Sequence, residues 1–179
     1  MSEPEEHPLT TEPERFVLGE TRDELSLDSR ELNGVAVQML AEQAGRTLHI
    51  LSRDLEPAIF STRPLSEAVG RLARRGRHSQ VRILIQDSRR LVQHTHYLLS
   101  TARQFSSYIE IRKMPTKFVH YNQAFVIADE IGVLFRQQAD VYNATLSFSN
   151  ASLAKELGEE FTHKWQLSEP DPYLRQIAY

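Results

Sequence analysis

The stretch EAVGRLARRGRHSQVRILIQD (residues 67–87) decides the fold. In its first half Ala68, Val69, Leu72 and Ala73 join Leu65 on one helical face, and Gly76 supplies a stop. In its second half Val81, Ile83 and Ile85 share one face of a strand, and Leu84 helps to bury the other. A helix that feeds a strand buried on both faces is part of a strand–helix–strand unit, so a partner strand is needed upstream. RTLHILS (46–52) is that strand. Between them DLEPAIFSTR (54–63) reads as a polar, Pro-containing loop, and Pro64 suits the first turn of the connecting helix.

Working outward, a helix over roughly 89–106 turns Leu91, Leu98, Leu99 and Ala102 inward and leads to a third strand, YIEIRKM (108–114). QAFVIAD (123–129), GVLFRQ (132–137) and VYNATLSF (141–148) read as three further strands in a meander, which adds antiparallel pairs. A last helix, about Asn150–Trp165, is capped by Asn150 or Ser149 and buries Leu153, Leu157, Phe161 and Trp165. Upstream, DSRE (28–31) has the form of a capping box, with Asp28 as cap and Glu31 at its third position. It opens a helix with Leu32, Val35, Ala36, Met39, Leu40 and Ala44 on one face. FVLGETRDELSLDS (16–29) is transitional, with room for a short strand. The expectation is one α/β domain with a mixed sheet flanked by helices. Its parts are an acidic disordered tail (1–15), an extension with a helix (16–45), the main domain (46–167) and a C-terminal tail (168–179).

The chain has 179 residues, a net charge of −3 and no cysteine, which excludes thiolate nucleophiles and cysteine-based zinc sites. Residues 1–31 hold ten acids and three arginines, whereas the remainder holds fourteen acids and eighteen bases, so the body is mildly basic. No run approaches the roughly 20 apolar residues of a membrane-spanning helix, and MSEPEEHPLTTEPER (1–15) has no apolar stretch of a secretory signal. The cytoplasm is the default expectation.

Four stretches carry a resemblance: LHILSRDLEPAIF (48–60), EAVGRLARRGRHSQVRILIQD, HYNQAFVIAD (120–129) and VYNATLSFSNASLAKELGEEFTHKW (141–165). Together, over about two-thirds of the chain, they resemble one half of a phospholipase D-like catalytic fold. Within that superfamily the chain is similar to an uncharacterised bacterial group whose members sometimes follow an acetyltransferase domain. The resemblance implies a phospholipase D-like mixed sheet and a motif H-x-K-x4-D. In that motif a histidine attacks phosphorus and lysine holds the non-bridging oxygens, with no metal or other cofactor. A second histidine comes from a second half, so the resemblance also implies a homodimer.

Matched residue by residue, the motif is degenerate. His120 can stand for the nucleophile, but Asn122 then stands at the lysine and Ile127 at the aspartate, with Asp129 two residues late. If AFVIAD is aligned instead, Ala124 stands at the lysine. RQQA (136–139) occupies the spacing of the family's G-S-x-N. Lys117 and Arg136 are the nearby cations able to compensate. Losing one preorganised donor costs roughly 10²–10³ in rate, and two donor elements are changed here. The candidate catalytic residue is therefore His120, the candidate ligand-binding residues are Asn122, Asp129, Lys117 and Arg136, and no metal site is expected.

Other motifs have plainer readings. His94 and His96 lie two apart in a helical pattern, pointing about 200° apart, and read as a solvated pair. Asp54 and Glu56 read as loop polar groups. Arg71, Arg74, Arg75, Arg77 and Arg82 suit the carbonyl end of a helix, and phosphate or nucleic-acid binding is their other reading. The function expected is a non-catalytic phospholipase D-like module that binds a phosphate-bearing or other anionic ligand, nucleic acid included. A variant metal-independent phosphodiesterase and a protein-interaction module with an empty site are the alternatives.

Overall fold

The computed structural model describes residues 5–172 and Leu174. The strands are β1 (Glu24–Leu27), β2 (Thr47–Ser52), β3 (Gln80–Ile85), β4 (Ile109–Lys113), β5 (Ala124–Ala128), β6 (Gly132–Arg136) and β7 (Ala144–Ser147). They form one seven-stranded sheet in the order β1-β7-β6-β5-β2-β3-β4. The β2–β3 and β3–β4 pairs are parallel, and the remaining pairs are antiparallel. The parallel strands are joined through helices α3 (Pro57–Phe60), α4 (Arg63–Arg74), α5 (Arg89–Gln93) and α6 (Tyr97–Gln104). Two successive crossovers of the same hand, stepping in one direction, must put their helices on one face of the sheet.

That face holds the larger core. Leu65, Val69, Leu72, Leu91 and Leu98 pack there on Ile50, Val81 and Ile83, together with helix α2 (Arg30–Gln43). Gly132 permits the close approach: a Cβ on it would lie 2.9 Å from Leu40 of α2 and 2.4 Å from Leu18. The opposite face is covered by helix α7 (Ala151–Leu167), whose Leu157, Phe161 and Trp165 pack on Leu51, Leu84, Phe125 and Ile127.

The mixed α/β sheet, its strands and the helix after Thr62 follow the sequence reading, and Gly76 adopts φ +93° just past α4. Several details differ. The cap of α2 is Ser29, whose hydroxyl accepts from the Leu32 amide at 3.1 Å, not Asp28. The buried face of α2 is also rotated: Asn33, Val37 and Ala41 are buried, while Leu32, Val35 and Met39 are half-buried. Asn33 can be buried because its amide donates to the carbonyls of Ser29 and Tyr142, both at 2.8 Å.

The segment read as an acidic tail with nothing to bury contains helix α1 (Pro8–Thr11), and Leu9 within it is fully buried. His7 caps it, accepting from the Leu9 amide at 3.1 Å and lying 3.0 Å from the Ser26 carbonyl of β1. The supposed loop 54–63 contains α3, because Ile59 and Phe60 have core to enter. The expected helix 89–106 is broken at His94–His96. His96 is not solvated but buried at 4% exposure, with Nε2 2.9 Å from the Leu55 carbonyl. A tertiary acceptor on another loop overrode the helical period.

Candidate functional site

Parallel strands β2 and β3 end side by side at Ser52 and Ile85, where antiparallel β5 begins at Ala124. Loops after β2 (53–56), after β3 (86–88), before β5 (114–123) and after β6 (137–143) converge on that end of the sheet. Carboxyl ends of parallel strands are where sheets of this class leave open crevices. A cavity of about 230 Å³ lies there, lined by Arg53, Asp54, Glu56, Arg90, Arg136 and Asp140, among others.

Arg136 is held by bonds from all three of its guanidinium nitrogens. It is buried, and its guanidinium donates to Glu56 Oε1 at 2.8 Å, the Ala139 carbonyl at 2.6 Å and the Val141 carbonyl at 3.0 Å. Glu56 Oε2 accepts from the Tyr142 hydroxyl at 3.1 Å, which raises the Tyr142 pKa. The Arg136 guanidinium also lies 5.3 Å from the Tyr142 ring centroid. So Arg136 holds loop 137–143 onto loop 53–56, with its donors directed at the protein itself.

The loop after β2 is shaped by a residue in an unusual conformation. Leu55 is fully buried with φ +51°, a region that side chains other than glycine seldom adopt. Its amide donates to Ser52 Oγ at 3.1 Å and its carbonyl takes the His96 contact, so both peptide groups are fixed. That carbonyl accepts a hydrogen bond from Nε2–H, and burial, which outweighs this bond, holds the His96 pKa down.

Arg53, Asn122 and Asp140 form the outer rim. Arg53 Nη2 donates to Asn122 Oδ1 at 2.5 Å, and Asn122 Nδ2 lies 3.4 Å from Asp140. The Asn122 carbonyl accepts from the Ala139 amide at 2.8 Å. Arg90 stands 3.5 Å from Asp54. Three arginines thus face three carboxylates. Asp87, beside them, is gripped by the Nε and Nη2 of its neighbour Arg89, and those bonds pull its pKa down to about 2.

The residues singled out in the sequence are not all brought together. Asn122 and Arg136 are at this end. His120 is exposed in the turn after Phe118, makes no hydrogen bond among the described residues, and does not line the cavity. Lys117 is exposed, with its ammonium 5.2 Å from the Phe118 ring. Asp129 lies at the other end of β5, where Asp129 and Glu130 turn the chain at φ +52° and +58°. Its carboxylate accepts from the amides of Gly45, Arg46 and Thr47 at 2.8, 2.8 and 2.9 Å and so anchors the start of β2.

The loop that carries His120 is itself pinned. Gln86 donates to the carbonyls of Phe118 and Tyr121. Lys164 of α7, nearly buried, places its ammonium 5.0 Å from the Phe118 ring, 4.1 Å from the Tyr121 ring and 2.6 Å from Glu160. Burial pushes the Tyr121 hydroxyl up to about 12. Sequence reasoning missed Arg53, Arg90 and Tyr142 at the cavity and Lys164 behind it. Nothing in their local pattern marks them, since only convergence of loops places them there. Among the described residues no group of three or more His, Asp or Glu is arranged to hold a metal ion.

The family described as Domain of unknown function (DUF7931) matches residues 28–177. The chain belongs to that family. The matched range includes α2, so this helix is part of the family unit. A comparison with curated proteins found no match. Solved structures give the fold. NucT from Helicobacter pylori aligns with a TM-score of 0.60 at 13% identity, covering 83% of this chain and 99% of NucT. Nuc from Salmonella typhimurium, a phospholipase D family member, aligns at 0.57 and 14% identity, covering 83% and 99%. TrmBL2, an archaeal chromatin protein with a described mode of DNA binding, aligns at 0.61 and 15% identity, covering 84% of this chain. The chain spans 54% of the TrmBL2 chain. The fold of this family member is therefore phospholipase D-like.

Proposed function

We propose that this protein is a phospholipase D-like module without phosphodiesterase chemistry that binds a phosphate-bearing ligand at the carboxyl end of β2 and β3. The observation that carries the reading is the start of β5. With Asp129 ending that strand in the motif's place, counting back puts Ala124 at the lysine and Asn122 at the histidine. An alanine supplies neither charge nor donor, and an asparagine amide is no nucleophile. His120, two residues earlier, faces solvent.

The ligand class follows from which cations can exchange partners. Arg136 is committed to Glu56 and two carbonyls, so it organises the cavity. Arg53 and Arg90 hold exposed, replaceable contacts with Asn122 and Asp54. A phosphate group entering there would take two guanidinium forks. Nucleic acid is one such phosphate source, as DNA is for the archaeal chromatin protein. A homodimer about a two-fold axis belongs to the same proposal.

The test is metal-free incubation with bis-p-nitrophenyl phosphate, alongside an NMR titration with inorganic phosphate. The expected result is no turnover, with shifts at Arg53 and Asn122 that Arg53→Gln removes. Turnover abolished by His120→Ala would overturn the reading in favour of a variant phosphodiesterase. Absence of any phosphate-dependent shift would favour an interaction module with an empty site.

A further inference from the structure

The opposite end of the sheet carries a second concentration of arginine. Arg71, Arg74 and Arg75 lie on the last turns of α4 and its cap, and all are exposed. Arg77 follows the Gly76 turn and is exposed, as is Arg46 before β2. The two segments are adjacent: the Gln80 amide donates to the Arg46 carbonyl at 2.9 Å, and Arg75 Nη1 reaches within 3.9 Å of where a Cβ on Gly45 would stand.

We propose that Arg46, Arg71, Arg74, Arg75 and Arg77 form a docking surface for the phosphate backbone of duplex nucleic acid. Among the described residues none of the five makes a salt bridge, whereas Arg53, Arg90 and Arg136 at the other end are all bonded or ion-paired to side chains. The nearest carboxylate, Asp129, points its oxygens at three backbone amides. Glu130, in the same turn, and Glu42, in the last turn of α2, are exposed acids at this end. The helix dipole accounts for cations in the last turn of α4, but not for Arg77 beyond the turn or Arg46 on another segment.

The chemistry of the cluster selects its partner. All five are arginines in a chain that also has four lysines, and the guanidinium fork matches two phosphate oxygens at once. The exposed Arg74 places its guanidinium over Phe105, 5.3 Å from the ring centroid, which helps to hold it. No exposed large aromatic residue interleaves the cluster, so stacking on unpaired bases has no platform and backbone contact remains. The surface lies at the end of the sheet opposite the cavity of the previous section and does not depend on it.

The test is fluorescence anisotropy of the full chain with a 20-base-pair duplex DNA across a salt series. Each phosphate contact contributes about −0.9 to the slope of log K against log salt. Arg71→Gln/Arg75→Gln/Arg77→Gln should therefore make the slope shallower by about 2.7 if each residue meets one phosphate. Arg22→Gln/Arg30→Gln, at exposed arginines outside both groups, should leave it unchanged, and Arg53→Gln/Arg90→Gln reads any share that the cavity takes. No retention of wild type at low salt, or an unchanged slope in the triple variant, would overturn the proposal. So would retention on vesicles of anionic lipid with none on DNA. Loss of DNA binding in the Arg53/Arg90 variant alone would assign the nucleic acid to the cavity and overturn the surface. Shifts at Arg53 and Asn122 in the inorganic phosphate titration read the cavity by itself, so each reading can fail alone.

Discussion

The two ends of the sheet use the same residue type in opposite ways. At the carboxyl end of β2 and β3, Arg136 is buried and bonded through all three guanidinium nitrogens, and Arg53 and Arg90 sit against acceptors. At the amino end, five exposed arginines have no salt bridge among the described residues. Cations at the first end build loops. Those at the second are exposed, and Arg74 alone among them rests on a ring, that of Phe105. A buried, fully bonded charge is costly to remove, because its partners are left behind unpaired, whereas an exposed one is nearly neutral for folding. The difference therefore separates structure from recognition and can be read by substitution.

The largest effect is expected at Arg136. Arg136→Ala leaves Glu56 and two loop carbonyls without their donor and should destabilise the fold by about 3 kcal/mol, read as a fall in urea midpoint with unchanged slope. A loss below about 1 kcal/mol would mean that the cavity end is as loosely held as the arginine surface. Asp129→Ala frees three amides at the start of β2 and should cost about 2 kcal/mol, with hydrogen exchange rising at Gly45, Arg46 and Thr47. Exchange confined to the cavity loops instead would contradict the anchoring role.

Lys164→Met keeps the volume but removes the ammonium between Phe118 and Tyr121. A loss of about 1–2 kcal/mol is expected, with the amides of residues 118–122 exchanging faster. A pH effect comes next. Burial lowers the pKa of His49 and His96, so the folded state favours their neutral forms. Their contribution is complete above about 6.5, the unfolded value, and is lost as pH falls through it toward the lower folded values. Stability should fall as pH drops from 7 to 5, and His96→Gln, whose amide can still donate to the Leu55 carbonyl, should flatten that fall. The smallest effect is expected from Arg71→Gln/Arg75→Gln/Arg77→Gln, within about 0.5 kcal/mol of wild type. A larger loss would show that this end, too, is built on its arginines.

Much of the fold was legible because its signals are local. The alternation in QVRILIQD, the helical face of Leu65–Ala73, Pro64 and Gly76 each restrict the chain within a few residues. The misreadings share one cause. Asn33, Leu9 and His96 each meet a partner far along the chain, at Tyr142, in the core or at Leu55, and such partners leave no periodic trace. The site was legible in part. Of the residues singled out, Asn122 and Arg136 lie at the cavity end of the sheet. His120 and Lys117 are exposed on a loop that Gln86 and Lys164 tie down, and Asp129 anchors a distant strand.

By itself, the sequence determined the alternation of strands and helices, the unbroken strand AFVIAD and the absence of a lysine at its head, because side-chain period and residue identity are local facts. Only the tertiary structure decided which charges are engaged. Whether an arginine bonds Glu56 or faces solvent depends on loops brought together from residues 53, 122 and 140. Electrostatic energy depends on distance and burial in space, and neither is written in the order of the chain.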